Sequence, residues 1–325
     1  MWYIFKLAKH FSSATGSLIN MDKSWGLWLG AWRERTDSPY NLKWTNDQRK
    51  ILGVMFGGKL AKQSSWDKIK NKVRTATHVE RDRQIGYTER AQYVNCILAA
   101  KVWYVGSIID CPSNVVENIQ RSLFSFFWSF KTSFISYNSL YLNTAEGGFK
   151  IINVKVKLQA LAVKQFCSIF TSNAKWKEFA IYWMANDLKK FDPVFGSNSR
   201  PKKFIPFYTC FYKTAYFYFK LVMKLGKIDK EGISTLTTKH IYKILLKYEL
   251  RFHTPKIFSL FPRINFSELF ITVHHPFIDS HIRDISWRVM NHTIPTCDLL
   301  VKRKICRIDK CSMCELKETV SHLFF

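Results

Sequence analysis

The stretch Ala91-Gln92-Tyr93-Val94-Asn95-Cys96-Ile97-Leu98-Ala99-Ala100-Lys101-Val102-Trp103-Tyr104-Val105 decides the fold class. Ala91, Val94, Leu98, Val102 and Val105 follow one another at threes and fours, which places them on one face of a helix. Pro112 and Ser113 stop that helix and start another, whose apolar positions are Val116, Ile119, Leu123 and Phe126 and which ends near Trp128. After a turn at Gly147-Gly148, Val154, Leu158, Leu161, Gln165 and Ile169 mark a third. Three amphipathic helices in succession imply a bundle.

Residues 2 to 13 read as a short helix, and Thr15, Gly16 and Ser17 as a turn after it. The period then changes. Trp25 to Trp32 and Ile51 to Phe56 are extended candidates, the second closed by Gly57 and Gly58. They are expected to pair as a hairpin, with Asp37, Ser38 and Pro39 in a long connection. On the far side of the bundle, Asn173 to Pro206 carries Asp192-Pro193, Gly196 and Pro201, the turn chemistry of a unit boundary. Phe204 to Leu221 is crowded with rings, including Phe211, Tyr216 and Phe219. Such rings can stack nucleobases, but at helical spacing they read as core. The fold class expected is α+β, mainly α.

Fifty Lys and Arg against 24 Asp and Glu give the 325-residue chain a formal charge of +26. A folded surface so positive repels itself unless anions sit on it, so the partner expected is a polyanion. With 47% hydrophobic residues the chain buries a substantial core. A spanning helix needs about 20 predominantly apolar residues, and the apolar stretches fall short. Lys101 cuts Val94 to Cys111, and Pro206, Lys213 and Lys220 cut Phe204 to Met223. Lys6, Lys9 and His10 interrupt the opening segment before it forms a signal-peptide core. The reading is therefore no membrane partner and an intracellular protein of nucleus or cytoplasm. Eight scattered Cys fit reduced thiols and one metal site better than a disulfide framework.

That metal site is Cys311, Cys314 and His322, three soft or borderline ligands in zinc-knuckle order. A structural zinc takes four ligands. The usual fourth is a Cys shortly after the His, so the motif reads as cut at Phe325, with Cys306 a possible substitute. No Walker loop, His-Glu-x-x-His or Gly-x-Ser-x-Gly occurs, nor do the close carboxylate pairs that two-metal chemistry requires. Glu80 and Asp82, set between Arg81 and Arg83, read as ion-paired on a surface helix.

The order of several further motifs carries a family resemblance. Thr15-Gly16-Ser17-Leu18-Ile19-Asn20-Met21-Asp22-Lys23-Ser24 resembles the segment after the catalytic palm strand of LINE-type (non-long-terminal-repeat) retrotransposon reverse transcriptases, and Ile51-Leu52-Gly53-Val54 their primer-grip strand. Trp66 with Lys68, Lys70 and Lys72 is similar to the start of the thumb, which continues in Arg90, Asn95, Lys101-Val102-Trp103-Tyr104, Phe126-Phe127-Trp128 and Glu146-Gly147-Gly148. Trp287-Arg288, Ile294-Pro295-Thr296, Cys311, Cys314, Glu318-Thr319 and His322-Leu323-Phe324 resemble the zinc-binding tail of these polymerases. The matches cover roughly residues 11 to 170 and 285 to 325. Two departures stand out: no Tyr-x-Asp-Asp catalytic turn is present, and Gly86-Tyr87-Thr88-Glu89-Arg90 replaces the family's Ser-Leu-x-Gly-Arg.

The resemblance implies a palm-edge β-hairpin and primer grip at 1–64, a helical thumb at 65–172, an aromatic-rich connector at 173–279 and a truncated zinc-binding domain at 280–325. It implies a non-catalytic fragment that binds RNA, DNA or an RNA–DNA hybrid, with Mg needed only by the full-length polymerase. The alternatives are a truncated gene model of an active RNA-directed DNA polymerase and a non-functional relic. Lys23, near the incoming nucleotide in the family, joins Lys68, Lys70, Lys72, Arg74, Arg90 and Lys101 as candidate nucleic-acid contacts.

Overall fold

The computed structural model describes residues 2–57, 60–79, 85–131, 133, 135–188, 210–229, 231–251, 253 and 263–324. It is mainly helical, 62% helix against 5% strand, with two small sheets. By internal contact the chain divides into two compact units, Met1–Ile69 and Lys70–Phe325. Glu80, Asp82 and the turn residues between Asp192 and Pro201 lie outside the described residues.

The first unit opens with helix α1 (Trp2–Thr15). Strand β1 (Trp25–Leu27) then pairs in parallel with β2 (Lys43–Thr45), and β3 (Arg49–Ile51) pairs antiparallel with β4 (Val54–Phe56). The expected hairpin between 25–32 and 51–56 does not form. The second stretch folds back on itself at Leu52-Gly53, whose φ values of 45° and 90° are the two left-handed residues of a tight hairpin turn. Gly26 is obligatory in β1, because a Cβ there would stand 2.2 Å from the Trp44 ring across the parallel pair. Helix α2 (Ala61–Val79) follows, with Trp66 fully buried and the Ser65 hydroxyl accepting the Met55 N–H at 2.9 Å.

In the second unit, α3 (Tyr87–Tyr93) runs through one π-helical turn, Val94–Leu98, into α4 (Ala100–Gly106). Ala91, Val94, Leu98, Val102 and Val105 are all buried, as their spacing requires. Helix α5 (Ser113–Phe127) buries Val115, Ile119, Leu123 and Phe126, with Val116 only half-buried at the flank. Asn95 and Gln120 then reach the extended run before the next helix. Asn95 donates to Lys150 O and accepts from Ile152 N, and Gln120 accepts from Val154 N. Two side chains thus satisfy backbone that neither helix nor sheet supports.

After a short α6 (Tyr137–Tyr141), helix α7 (Val154–Thr171) forms the centre of the unit. Its N-cap Asn153 accepts the Val156 N–H. The sequence pattern assigned α7 a single apolar face through Leu161 and Gln165, yet Gln165 is exposed and burial centres on Val156, Ala160, Val163, Phe166 and Cys167. The reason is tertiary. Helices α4 and α5 cover one side, and α8 (Trp176–Leu188), α9 (Cys210–Gly226) and α10 (Thr238–Glu249) pack around the rest. Phe211, Tyr216 and Phe219 of α9 are core residues, Phe219 lying 4.8 Å from Phe166 between ring centroids. The rings of 210–221 therefore face this core, apart from Phe217, which is 59% exposed.

Three helices close the C-terminal side: α11 (Phe266–Val273), α12 (Ser280–Met290) and α13 (Cys297–Lys302). Asp284 of α12 accepts the Tyr87 N–H through both carboxylate oxygens at 3.1 Å, capping α3 from a distant part of the chain. Beside it Arg283, nearly buried, pairs with Glu89 at 2.7 Å. Next to that pair sits His274, whose Nε2 is buried without a hydrogen-bond partner among the described residues and whose Nδ1 is 3.4 Å from Thr88 Oγ1.

Burial first, then the Arg283 charge, pushes the His274 imidazole down to about 4, against a smaller pull from Glu89. The folded unit therefore takes up this proton less readily than the unfolded chain. Stability should fall as pH drops from about 6.5 to about 4, by at most about 3 kcal/mol. Denaturant melts of the wild type and His274→Asn at several pH values measure it. The same slope in both would assign the effect elsewhere.

Candidate metal centre and basic surface

The tail is assembled by turns and caps. Thr296 caps α13 by accepting the Leu299 N–H, and Glu318 receives the Cys297 N–H on its side chain and the Asp298 N–H on its carbonyl. Lys310 and Lys317 form an antiparallel bridge, inside which the Cys311 N–H donates to Leu316 O at 2.7 Å and the Glu315 N–H to Cys311 O at 3.0 Å. Glu315 takes a left-handed φ of 58° to close the turn. Helix α14 (Val320–Phe324) starts with Thr319 accepting the His322 N–H and brings His322 back over the turn.

The result joins the three expected ligands. Cys311 Sγ, Cys314 Sγ and a His322 ring nitrogen lie within 4.8 Å of one another, and Cys314 Sγ is 3.1 Å from His322 Nε2. Tetrahedral zinc, with Zn–S about 2.3 Å and Zn–N about 2.0 Å, holds its ligand atoms about 3.5–4 Å apart, so the donor set fits and the ion would be reached by moving Cys314 and His322 a few tenths of an ångström apart. The backbone N–H of Met313 points at Cys311, and with His322 and the Cys314 N–H it draws that thiol down to about 7. The turn thus stabilises the thiolate a metal requires. Cys306, the alternative fourth ligand, is exposed and stands outside this cluster, and the Cys297 thiol donates instead to Glu318 Oε2 at 3.3 Å.

The seven basic candidates are divided between the two units and differ in exposure. In the first unit Lys23 and Lys68 are exposed, Lys68 Nζ lying 3.4 Å from Met55 Sδ. In the second unit Lys72 and Arg74 are exposed while Lys70 and Lys101 are half-buried. Lys70 and Arg74, four apart, share a flank of α2 from which Lys72 turns away.

Arg90 is a correction. It is 8% exposed, and its guanidinium donates to Ile85 O at 2.8 Å and Phe126 O at 3.2 Å, tying α3 to the end of α5. Burial and these two bonds to backbone carbonyls make it a tie within the bundle rather than the exposed contact expected. Arg90→Ala should cost about 3 kcal/mol, because Ile85 O loses its side-chain donor and a buried side chain that packs against Phe126 is deleted, although Phe126 O keeps the Ser129 N–H, while leaving the salt dependence of RNA binding unchanged. Paired melts and salt titrations decide this, and a lowered salt slope in a fully folded variant would reinstate Arg90 as a contact.

Sequence reasoning missed one feature, a set of tryptophans and cations in the first unit. Trp28 stacks on Trp44 with centroids 4.0 Å apart, and Arg35 lies 4.6 Å over Trp28. Trp25 carries Arg49 at 3.6 Å and Lys43 at 5.7 Å from its ring centroid. The signal was the density of Trp, Lys and Arg between residues 25 and 49. No helix among the described residues is long and apolar enough to cross a membrane. No protein-family model matches the chain, and no curated protein matches it.

Proposed function

We propose that the chain is the thumb and zinc-binding part of a LINE-type reverse transcriptase, and that it binds RNA, DNA or a hybrid without catalysing polymerisation. The observation that carries this reading is the meeting of Cys311, Cys314 and His322, from a turn and a separate helix, in the order the resemblance assigns. The charge of +26 and the helical character of 87–127 and 154–171 support it further. When bound, zinc would tie the Cys311–Cys314 turn to α14, a structural role rather than a chemical one. Binding would be electrostatic, with Lys and Arg releasing counter-ions from phosphates and little base discrimination. The sequence holds no Tyr-x-Asp-Asp, so this chain provides no carboxylate pair for the Mg ions of phosphoryl transfer.

A salt titration of binding to labelled RNA, with zinc present, tests the proposal. The logarithm of affinity should fall linearly with the logarithm of salt. Lys72→Ala and Arg74→Ala should each reduce that slope by about one unit and weaken all sequences alike. Failure of the zinc-loaded protein to bind any nucleic acid at low salt would refute the reading.

A further inference from the structure

Residues 1–69 hold eleven Lys and Arg against five Asp and Glu, and the β1–β2 sheet carries the Trp25 and Trp44 rings. Side chains alternate along extended chain, and Trp28, directly after β1, still donates its N–H to Thr45 O, so Trp25 and Trp28 lie on opposite sides. The Trp28 side is closed. Trp28 is buried against Trp44, and Arg35 above it is clamped by Asp37 through two bonds of 2.7 and 2.6 Å, which cancels its charge. The Trp25 side is open. Trp25 is 46% exposed; Lys43, its register partner in β2, and Arg49, at the start of β3, both lie within 6 Å of its ring centroid.

A cation–π contact that served only to hold the sheet would need one cation. Here two like charges share one ring, and among the described residues no carboxylate pairs with either. That is an unfavourable arrangement for the protein alone and a favourable one around an anion. Arg49 at 3.6 Å lies in stacking contact with the indole, and a guanidinium plane or an exposed indole face accepts a nucleobase as a further layer.

We propose that Trp25, Arg49 and Lys43 form a binding site for single-stranded nucleic acid, in which a base stacks on the Trp25–Arg49 pair and Lys43 and Arg49 take the adjoining phosphates. This rests on the nucleic-acid reading above and adds a place and a strand preference. A duplex keeps its bases stacked inside and can use only the two charges, whereas a single strand uses charges and ring.

The test is binding of the full chain to a fluorescein-labelled oligouridylate and to an RNA duplex of equal length, in the wild type, Trp25→Ala, Trp25→Phe and Arg49→Lys. Trp25→Ala should bind the single strand about tenfold more weakly, toward the low end of what base–aromatic stacking contributes, with duplex affinity within about twofold. Trp25→Phe should keep most of the affinity, and Arg49→Lys should fall between. Because Trp25→Ala could disturb the small sheet, the wild type is also photo-crosslinked to a 4-thiouridine oligomer, and the crosslink should map to the peptides containing Trp25 or Arg49. Unchanged single-strand affinity in Trp25→Ala, equal losses for strand and duplex, or crosslinks that avoid both peptides would each overturn the site while leaving general RNA binding intact. Absence of binding to either RNA by the wild type would overturn both proposals together.

Discussion

Trp287→Ala should destabilise the second unit by about 4 kcal/mol, within the range for deleting a large buried aromatic side chain. Trp287 is fully buried in α12, with ring centroids 4.8 Å from Phe149, 5.8 Å from Tyr87 and 6.3 Å from Trp128. Its indole Nε1 also donates to Gly147 O at 2.8 Å. Gly147 sits in a left-handed turn, φ 81°, where an added Cβ would meet the Phe270 ring at 2.6 Å, so this turn has little freedom to find another donor. Alanine would therefore remove the packing against these three rings and leave a buried carbonyl unpaired, two costs that add. Trp287→Phe separates them. It keeps most of the ring and should lose about 2 kcal/mol, the share of the lost hydrogen bond and residual void. Denaturant unfolding measures both, with Phe217→Ala on the open side of α9 as a control expected within about 0.5 kcal/mol of wild type. A loss below about 1 kcal/mol in Trp287→Ala would mean that α12 is not integral to the bundle.

That expectation shows where the sequence was readable. The helical face through Ala91, Val94, Leu98, Val102 and Val105 was legible because one side of α3 and α4 is covered and the other is not. Helix α7 was legible as a helix but not in its orientation, since partners surround it and apolar residues occupy several faces. Leu52-Gly53 was misread because a two-residue turn inside an apolar run leaves the run continuous in sequence, and only the left-handed φ values break it. The Asp284 cap on Tyr87 and the indole bond from Trp287 to Gly147 join residues 197 and 140 positions apart. No local pattern announces such contacts. Arg90 was misplaced for a related reason: composition says that arginine is exposed, and only the tertiary fold shows two carbonyls waiting for it. The meeting of Cys311, Cys314 and His322 was legible because its spacing rule is local, two residues between the cysteines and seven before the histidine.

Losing one of those ligands should have the largest effect of any single substitution on metal binding. Cys314→Ser is expected to lower zinc affinity more than about 100-fold, since even groups that only orient a ligand are worth about 10–100-fold. Cobalt-substituted protein makes this visible, because thiolate-to-metal absorption near the ultraviolet should shrink with each Cys replaced and persist in Cys306→Ser, whose thiol lies outside the cluster. Proton competition sets the pH dependence. A thiol must lose its proton to ligate, and Cys311, held at about 7 by the N–H groups of its turn, remains thiolate further into the neutral range than an ordinary cysteine. Zinc affinity should accordingly weaken as pH falls below about 7. Without zinc the tail is held by its bridge, its caps and exposed ion pairs such as Lys317 with Asp298, so a chelator should expose residues 303–324 to protease while α7, α9 and α10 stay protected. Equal zinc affinity in Cys314→Ser and wild type would mean that the three side chains are neighbours without a metal, and the proposed role of the tail would fail with them.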